Sequence, residues 1–353
     1  MLLKSSAPLA HLKAAMQQMG YDMANTWMCR LGGAPLPHDD SLTIAECGLG
    51  ANSCVHVMGR LPGGGEATIR EQKYLFDDSV GHLDLGGNGL GSVEVKEVAT
   101  FLVSHEGATV RRLTLSGNEI TDGGKDMSGL TALCEILPTL KHPISLDLAN
   151  CGLGVAEVNE LASAIQAGAA VDAVAIGGNP IGSAGGATLL ETIKTSKLKT
   201  IDIGKPLPLQ EPYESDTLDL SNTQMDPGHV LLLSWWLATD AGAAVARLIL
   251  NENPLTGGRR NSDFDTDITG ITALCDTLKT SSVTELGLAK CRLGPGSLGK
   301  LAEYVRDADA AVARLSLSGN RLTNNDKDLT GLKALCEALL GLKNPISLDL
   351  SNC

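Results

Sequence analysis

Apolar positions recur along this chain in one short frame. A leucine-type residue, a polar residue and a second leucine-type residue come first. Two more residues follow, then Asn or Cys, one further residue and a last apolar side chain. The frame reads Leu83-Asp-Leu-Gly-Gly-Asn88-Gly-Leu90 and returns as Leu113-Thr-Leu-Ser-Gly-Asn118-Glu-Ile120. Further copies run from Leu146 to Leu153 with Cys151, from Val174 to Ile181 with Asn179, and from Leu218 to Met225 with Thr223. Others run from Leu248 to Leu255 with Asn253, from Leu286 to Leu293 with Cys291, and from Leu315 to Leu322 with Asn320. The chain stops inside another, Leu348 to Cys353, and Leu42 to Leu49 with Cys47 fits as an outlying first copy.

The alternating start predicts a short strand with one face buried. The Asn or Cys closes the turn that leaves the strand. There an Asn amide can pair buried backbone groups in a ladder up the stack, while a Cys fills space and donates weakly. Asn88, Asn118, Asn179, Asn253 and Asn320, with Thr223 and Cys47, Cys151, Cys291 and Cys353, are the expected ladder. Copies starting at 83, 113, 146, 174 and 201 are 30, 33, 28 and 27 residues apart; after a step of 17 to 218 come steps of 30, 38, 29 and 33.

Between the strands the period changes to that of a helix. Val158, Leu161, Ala162 and Ile165 form one stripe, and Leu298, Leu301, Ala302 and Val305 repeat it. Cys134, Cys275 and Cys336 hold matching places in three Ala-Leu-Cys helices, which reads as core filling. Parallel strands follow, because each helix returns the chain to the same edge. A helix is wider than a strand, so the stack curves. The predicted fold is α/β, a right-handed solenoid shaped as a horseshoe, with parallel concave strands and convex helices.

Departures from the frame carry their own expectations. Thr121–Gly129, Thr256–Gly270 and Thr323–Gly331 are inserted loops that lead into the Ala-Leu-Cys helices. The middle one holds Asp263-Phe-Asp-Thr-Asp267, but Ile268 and Leu274 stand where a calcium loop needs Gly and Glu. A solvated loop whose Asp residues cap the next helix is the favoured reading, and no metal site is expected. Ile203 to Pro212 has three prolines and cannot hold a full helix, so an extended convex crossing is expected. Val230 to Leu237 is almost wholly apolar, and alignment leaves open which of Trp235 and Trp236 faces inward. One reading packs it on the proline-rich crossing and the other gives it a partner.

Two domains follow: an N-terminal helical cap at 1–40 and a repeat array at 41–353. The array has about ten or eleven repeats, is irregular at 50–82 and 203–217, and is truncated at the C-terminus. Ser6 and Pro8 open the cap helix, with Leu9, Leu12, Met16 and Met19 on one face. Terminal repeats normally end in a polar cap, so the open last repeat suggests self-association or a chain that continues.

Composition narrows the function classes. Of 353 residues, 43% are hydrophobic, which excludes a wholly disordered chain. A net charge of −13 argues against a nucleic-acid partner. No apolar run approaches the ~20 residues of a membrane helix. Nine Cys without a CxxC pair disfavour zinc, and Cys29 and Cys54 read as packed thiols; reduced thiols point to a cytoplasmic or nuclear protein. No phosphate loop, zincin helix or nucleophile elbow is present, so no cofactor and no enzyme activity are expected.

These copies over about 41–353 resemble the ribonuclease-inhibitor-like class of leucine-rich repeat proteins. That resemblance implies a horseshoe that binds protein through its concave face. Its members include inhibitors, GTPase activators of the Ran type and innate-immune sensor modules, so a regulator of a small GTPase is the alternative; a passive structural array is the third. The strand positions flanking the buried leucines supply the candidate binding residues: Asp84, Arg112, Asp147, Asp202, Asp219, Arg247, Glu285, Arg314 and Asp349. Their charges could instead merely pair across strands.

Overall fold

The computed structural model describes residue 14, residues 26–30, 55–59, 65–69 and 72–76, and residues 81–353 except 259, 261, 262, 308–311 and 343. The expected cap helix and the first copy with Cys47 lie outside the described residues, as do the side chains of Cys29 and Cys54. Within the segment expected to be a helical cap, Thr26–Arg30 is instead a strand, β1, antiparallel to β2 (Val55–Gly59). Val55 and Val57 alternate there with the period of a strand. The irregular stretch before residue 82 also holds an antiparallel hairpin of β3 (Gly65–Ile69) and β4 (Gln72–Phe76). A two-residue connection suits that pairing.

The array itself has two parallel sheets. The first contains β5 (His82–Asp84), β6 (Arg112–Thr114), β7 (Ile144–Asp147), β8 (Val171–Ala175) and β9 (Thr200–Asp202). Leu83, Leu113, Leu146, Val174 and Ile201 stand in register across it. The second contains β11 (Thr217–Asp219), β12 (Arg247–Ile249), β13 (Glu285–Gly287), β14 (Arg314–Ser316) and β15 (Ser347–Asp349). Leu218, Leu248, Leu286, Leu315 and Leu348 align there. All but Leu348 of these ten residues are buried.

Among the described residues eight helices return the chain of the array: α1 (Ser92–Leu102), α2 (Ser128–Ile136), α3 (Val155–Gln166), α4 (Gly182–Thr195), α5 (Pro227–Leu237), α6 (Thr269–Leu278), α7 (Pro295–Asp307) and α8 (Thr330–Leu340). Three of them open on a repeated phrase of Asp, an apolar residue, Ser or Thr, and Gly. Asp126, Asp267 and Asp328 each accept the backbone N–H two residues on, at Ser128, Thr269 and Thr330, all at 2.9 Å. Such caps satisfy helix donors that have no partner inside the helix. The Gly of each phrase lets the helix touch the one before it. A Cβ on Gly129, Gly270 or Gly331 would strike the carbonyl oxygen of Ser92, Pro227 or Pro295.

The two sheets are not hydrogen-bonded to each other. After β9 the chain reverses at Gly204 and runs back as β10 (Pro206–Pro208), antiparallel to β9. This corrects the expectation of a convex crossing. The return is made in the sheet layer, without a helix, which is why the step to the next copy is only 17 residues. Pro206 and Pro208 carry no N–H, so the outer edge of β10 is blunted against further pairing.

α5 seals this seam from the other side. Trp236 is fully buried; its Nε1–H donates to the Pro208 carbonyl at 2.7 Å, and its ring meets Tyr213 edge-on at 5.6 Å. Trp235 is half-buried against the core. Asp226 caps α5 through the N–H groups of Gly228 and His229, and its other oxygen accepts Gly182 N–H at 2.6 Å. His229 is fully buried and lies 2.8 Å from Asp226 and 3.2 Å from the Ile176 carbonyl. The apolar helix is thus the joint of the array.

The last helix differs from its sisters. Cys134 and Cys275 are buried, and burial pushes both thiols up to about 12. Cys336, expected as core filler, is exposed; among the described residues no helix packs on that side of α8. Leu340 on the same helix is 89% exposed. No helix among the described residues is long and apolar enough to cross a membrane.

Candidate interaction face

Below the open strand face runs the ladder. Asn118 accepts Leu90 N–H and donates to the Leu85 and Leu115 carbonyls, so it joins two copies. Asn179 accepts from Cys151 and Leu153 and donates to Leu148 and Ile176. Asn253 and Asn320 repeat this with Thr223, Met225, Leu220 and Leu250, and with Cys291, Leu293, Leu288 and Leu317. All four are buried.

Cys-type copies reach back with sulfur. Cys151, Cys291 and Cys353 donate to the carbonyls of Leu115, Leu250 and Leu317 at 3.2, 3.1 and 3.2 Å. Burial pushes the Cys151 thiol up to about 11 and Cys291 up to about 12, so neither is a nucleophile at neutral pH. The ladder lapses at the seam, where the Thr223 hydroxyl donates within its own copy to Leu220. Asn88 is half-buried and donates to Gly86, and the copy before it lies outside the described residues.

Above the ladder, the face presents the side chains that flank the buried pair. Its five Asp residues share a local duty. Asp84, Asp147, Asp202, Asp219 and Asp349 each accept the backbone N–H two residues on, at Gly86, Ala149, Gly204, Ser221 and Ser351, between 2.8 and 3.1 Å. Each carboxylate therefore fixes the turn that ends its strand. The signal was the constant spacing of Asp to a small residue. The second oxygen of Asp349 accepts the Ser316 hydroxyl at 3.3 Å. Burial raises the carboxyl of Asp202, with the charge of Asp147 adding to it. The hydroxyl and backbone of Ser221 lower that of Asp219.

The cations fall into two classes. Arg247 forms a two-pronged pair with Glu285, Nε to Oε2 at 2.9 Å and Nη2 to Oε1 at 3.2 Å. Arg112 and Arg314 are exposed and have no side-chain partner among the described residues. Cross-strand pairing thus accounts for one Arg of the three.

On the first sheet the face sinks into a hollow of about 610 Å³. Its floor is Ala173 and Ala175; its rim includes His82, Arg112, Asp147, Asp172, Lys199 and Asp202. His82 Nε2 lies 3.0 Å from the Thr114 hydroxyl, Ser145 donates to Asp172 at 3.0 Å, and Lys199 stands 4.0 Å from Asp172. The strand phase placed His82 and Ala173 on this face, but Asp172 and Lys199 precede the strand frame and were missed.

The inserted loops flank the face. In the middle loop Asp267 caps its own helix, as expected. Asp265 does not: it accepts Gly294, Gly296 and Ser297 N–H at 2.8, 2.7 and 3.1 Å, capping α7 of the next copy. Asp263 accepts Arg260 N–H at 3.0 Å. Each of the three carboxylates thus holds backbone. No group of three or more His, Cys, Asp or Glu that could hold a metal occurs among the described residues.

No protein-family model matches the chain. It is 28% identical over 235 residues to the ribonuclease inhibitor of Sus scrofa, covering 66% of this chain and 43% of that protein. The ribonuclease inhibitor of Mus musculus is 25% identical over 259 residues, covering 71% of this chain and 47% of its own length. A "NACHT, LRR and PYD domains-containing protein 5" of Bos taurus is 24% identical over 254 residues, 71% of this chain and 19% of that one. The chain therefore spans about half the length of these relatives or less. Among solved structures, an internalin of Listeria monocytogenes covers 79% of this chain and 90% of its own at 14% identity, with a TM-score of 0.20, too loose a superposition to carry weight.

Proposed function

We propose that this chain, a leucine-rich repeat protein of the ribonuclease-inhibitor-like class, is a non-enzymatic scaffold that binds a protein partner through its open strand face and inserted loops. One observation supports this most: Arg112 and Arg314 stand exposed on that face without side-chain partners among the described residues. Arginine is enriched where interfaces concentrate their energy. The strand-end Asp residues each hold a turn, and their charge can add to electrostatic steering of a partner. Buried, high-pKa thiols fit a reducing compartment, so we place the protein in the cytoplasm or nucleus. Self-association through α8 and β15, where Leu340 is exposed, belongs to the same proposal.

The test is affinity capture from native cytosol, read by mass spectrometry, with wild type against Arg112→Glu combined with Arg314→Glu. Arg247 is left intact because it holds Glu285. Circular dichroism checks folding. A partner captured by wild type and lost from the folded variant is the expected result. Equal capture by both would remove the strand face from the account.

A further inference from the structure

A second hollow, of about 420 Å³, lies off the strand face, where the second sheet turns toward its helices. Lys290, Arg292, Arg321, Glu252 and Phe264 line it. Three cations thus converge in a chain whose net charge is −13. Lys290 is spent on Glu252 at 2.8 Å, and the pair cancels. Arg292 donates Nη1 to the Gly258 carbonyl, and its Nε and Nη2 have no partner among the described residues. Arg321 is exposed, with no side-chain partner among the described residues. Two guanidinium groups remain to be satisfied.

From the inserted loop, Phe264 lines this hollow. Thr256–Gly270 is six residues longer than Thr121–Gly129 or Thr323–Gly331. The added length brings half-exposed Phe264 onto Gly294, where a Cβ would collide with the ring. The nearby carboxylate of Asp265 is turned to the backbone N–H groups of Gly294, Gly296 and Ser297.

An internal comparison shows that the repeat does not require these residues. In the first sheet the corresponding places of Lys290, Arg292 and Arg321 hold Asn150, Gly152 and Pro180, and the shorter loop has no aromatic residue. Scaffold and ladder are the same in both places. The charged residues and the ring were added to one of them only.

We propose that this hollow is a docking pocket for an acidic peptide segment of a protein partner, its carboxylates held by Arg292 and Arg321 and its stem lying on Phe264. Guanidinium groups suit carboxylates because their fixed donors match two oxygens at once. The proposal rests on the scaffold reading but not on the strand face.

The experiment is fluorescence anisotropy with the full chain. One probe is a fluorescein-labelled peptide amide of four consecutive Glu flanked by Gly; the other has Lys in place of Glu. Arg292→Gly with Arg321→Ala restores a neutral pocket, and Gly is unstrained at residue 292, where φ is +59°. The Glu peptide should bind saturably, at least about tenfold more weakly to the double variant, and more weakly as salt rises. Phe264→Ala should weaken it severalfold, Arg112→Glu should not change it, and the Lys peptide should not bind. No saturable binding to folded wild type at millimolar peptide overturns the pocket, as does equal binding to the double variant. Loss in Arg112→Glu instead would move acidic recognition to the strand face and leave the scaffold reading standing.

Discussion

Strands β5–β9 and β11–β15 place their core residues in one register, Leu83 to Ile201 before the seam and Leu218 to Leu348 after it. Around that shared frame the two stacks differ. The first has a hollow on its strand face, with free Arg112 on the rim and Asp202 partly withdrawn from water. The second pairs Arg247 with Glu285 on the face and gathers Arg292, Arg321 and Phe264 at the loop edge. The leucines and ladder amides repeat because every copy must bury the same groups. Positions beside them are free to vary, so differences between stacks locate recognition better than the repeat does.

Breaking the joint should have the largest effect. Trp236→Ala removes a fully buried ring that touches β10 and Tyr213, and should cost about 3–5 kcal/mol. Denaturant unfolding measures this; a loss under about 1 kcal/mol would mean that the stacks do not depend on α5.

The ladder comes next. Asn179→Ala leaves two N–H groups and the Leu148 carbonyl buried without a partner, while the Ile176 carbonyl keeps His229, for about 3 kcal/mol after relaxation. Thr223→Ala loses a hydroxyl bond within its own copy and should cost about 1 kcal/mol or less. Similar values for the two would contradict bridging as the source of the stability.

Caps are smaller. Asp265→Ala strips three N–H partners from α7 and should cost about 1–2 kcal/mol, whereas Asp328→Ala at α8, which loses one backbone N–H bond, should cost less. The order of the two, read from thermal melts, is the sharp part of this expectation.

The smallest effects are two of opposite sign in pH. The folded carboxyl of Asp202 titrates above its unfolded value, mainly through burial. Its contribution is complete in acid and is lost as pH rises through the folded value. Asp202→Asn should therefore stabilise the protein at neutral pH and change little at about pH 3. Asp219 titrates below its unfolded value through Ser221, so its contribution is present at neutral pH and is lost as pH falls. Asp219→Asn should destabilise at neutral pH only. The same sign for both would show that neither environment acts as described.

Much of this architecture was legible from periodicity, because alternation and helical spacing are local. The ten registered strand residues from Leu83 to Leu348 and the stripes of α3 and α7 belong to that class. The seam was legible only as a short step. Its prolines announced that no helix fits, yet a strand pairing backwards depends on the neighbouring edge. Which tryptophan is buried depended on Pro208 and Tyr213, neither of them on the helix. Asp265 was read as a cap for its own helix, since nothing near it in sequence names Gly294 as a neighbour. The face residues followed from strand phase; which of their charges are spoken for did not, because Arg247 and Arg112 are alike until the next strand is in place.

The most direct test of the scaffold account is carbodiimide footprinting of carboxylates with and without the captured partner. Asp84, Asp219 and Asp349 are exposed on the strand face, while Glu191 and Glu337 are exposed on helices α4 and α8. The account predicts that the partner suppresses labelling of one or more of the strand Asp residues and leaves both Glu residues as reactive as before. Shielding of Glu191 or Glu337, with the three Asp residues still fully labelled, would contradict it.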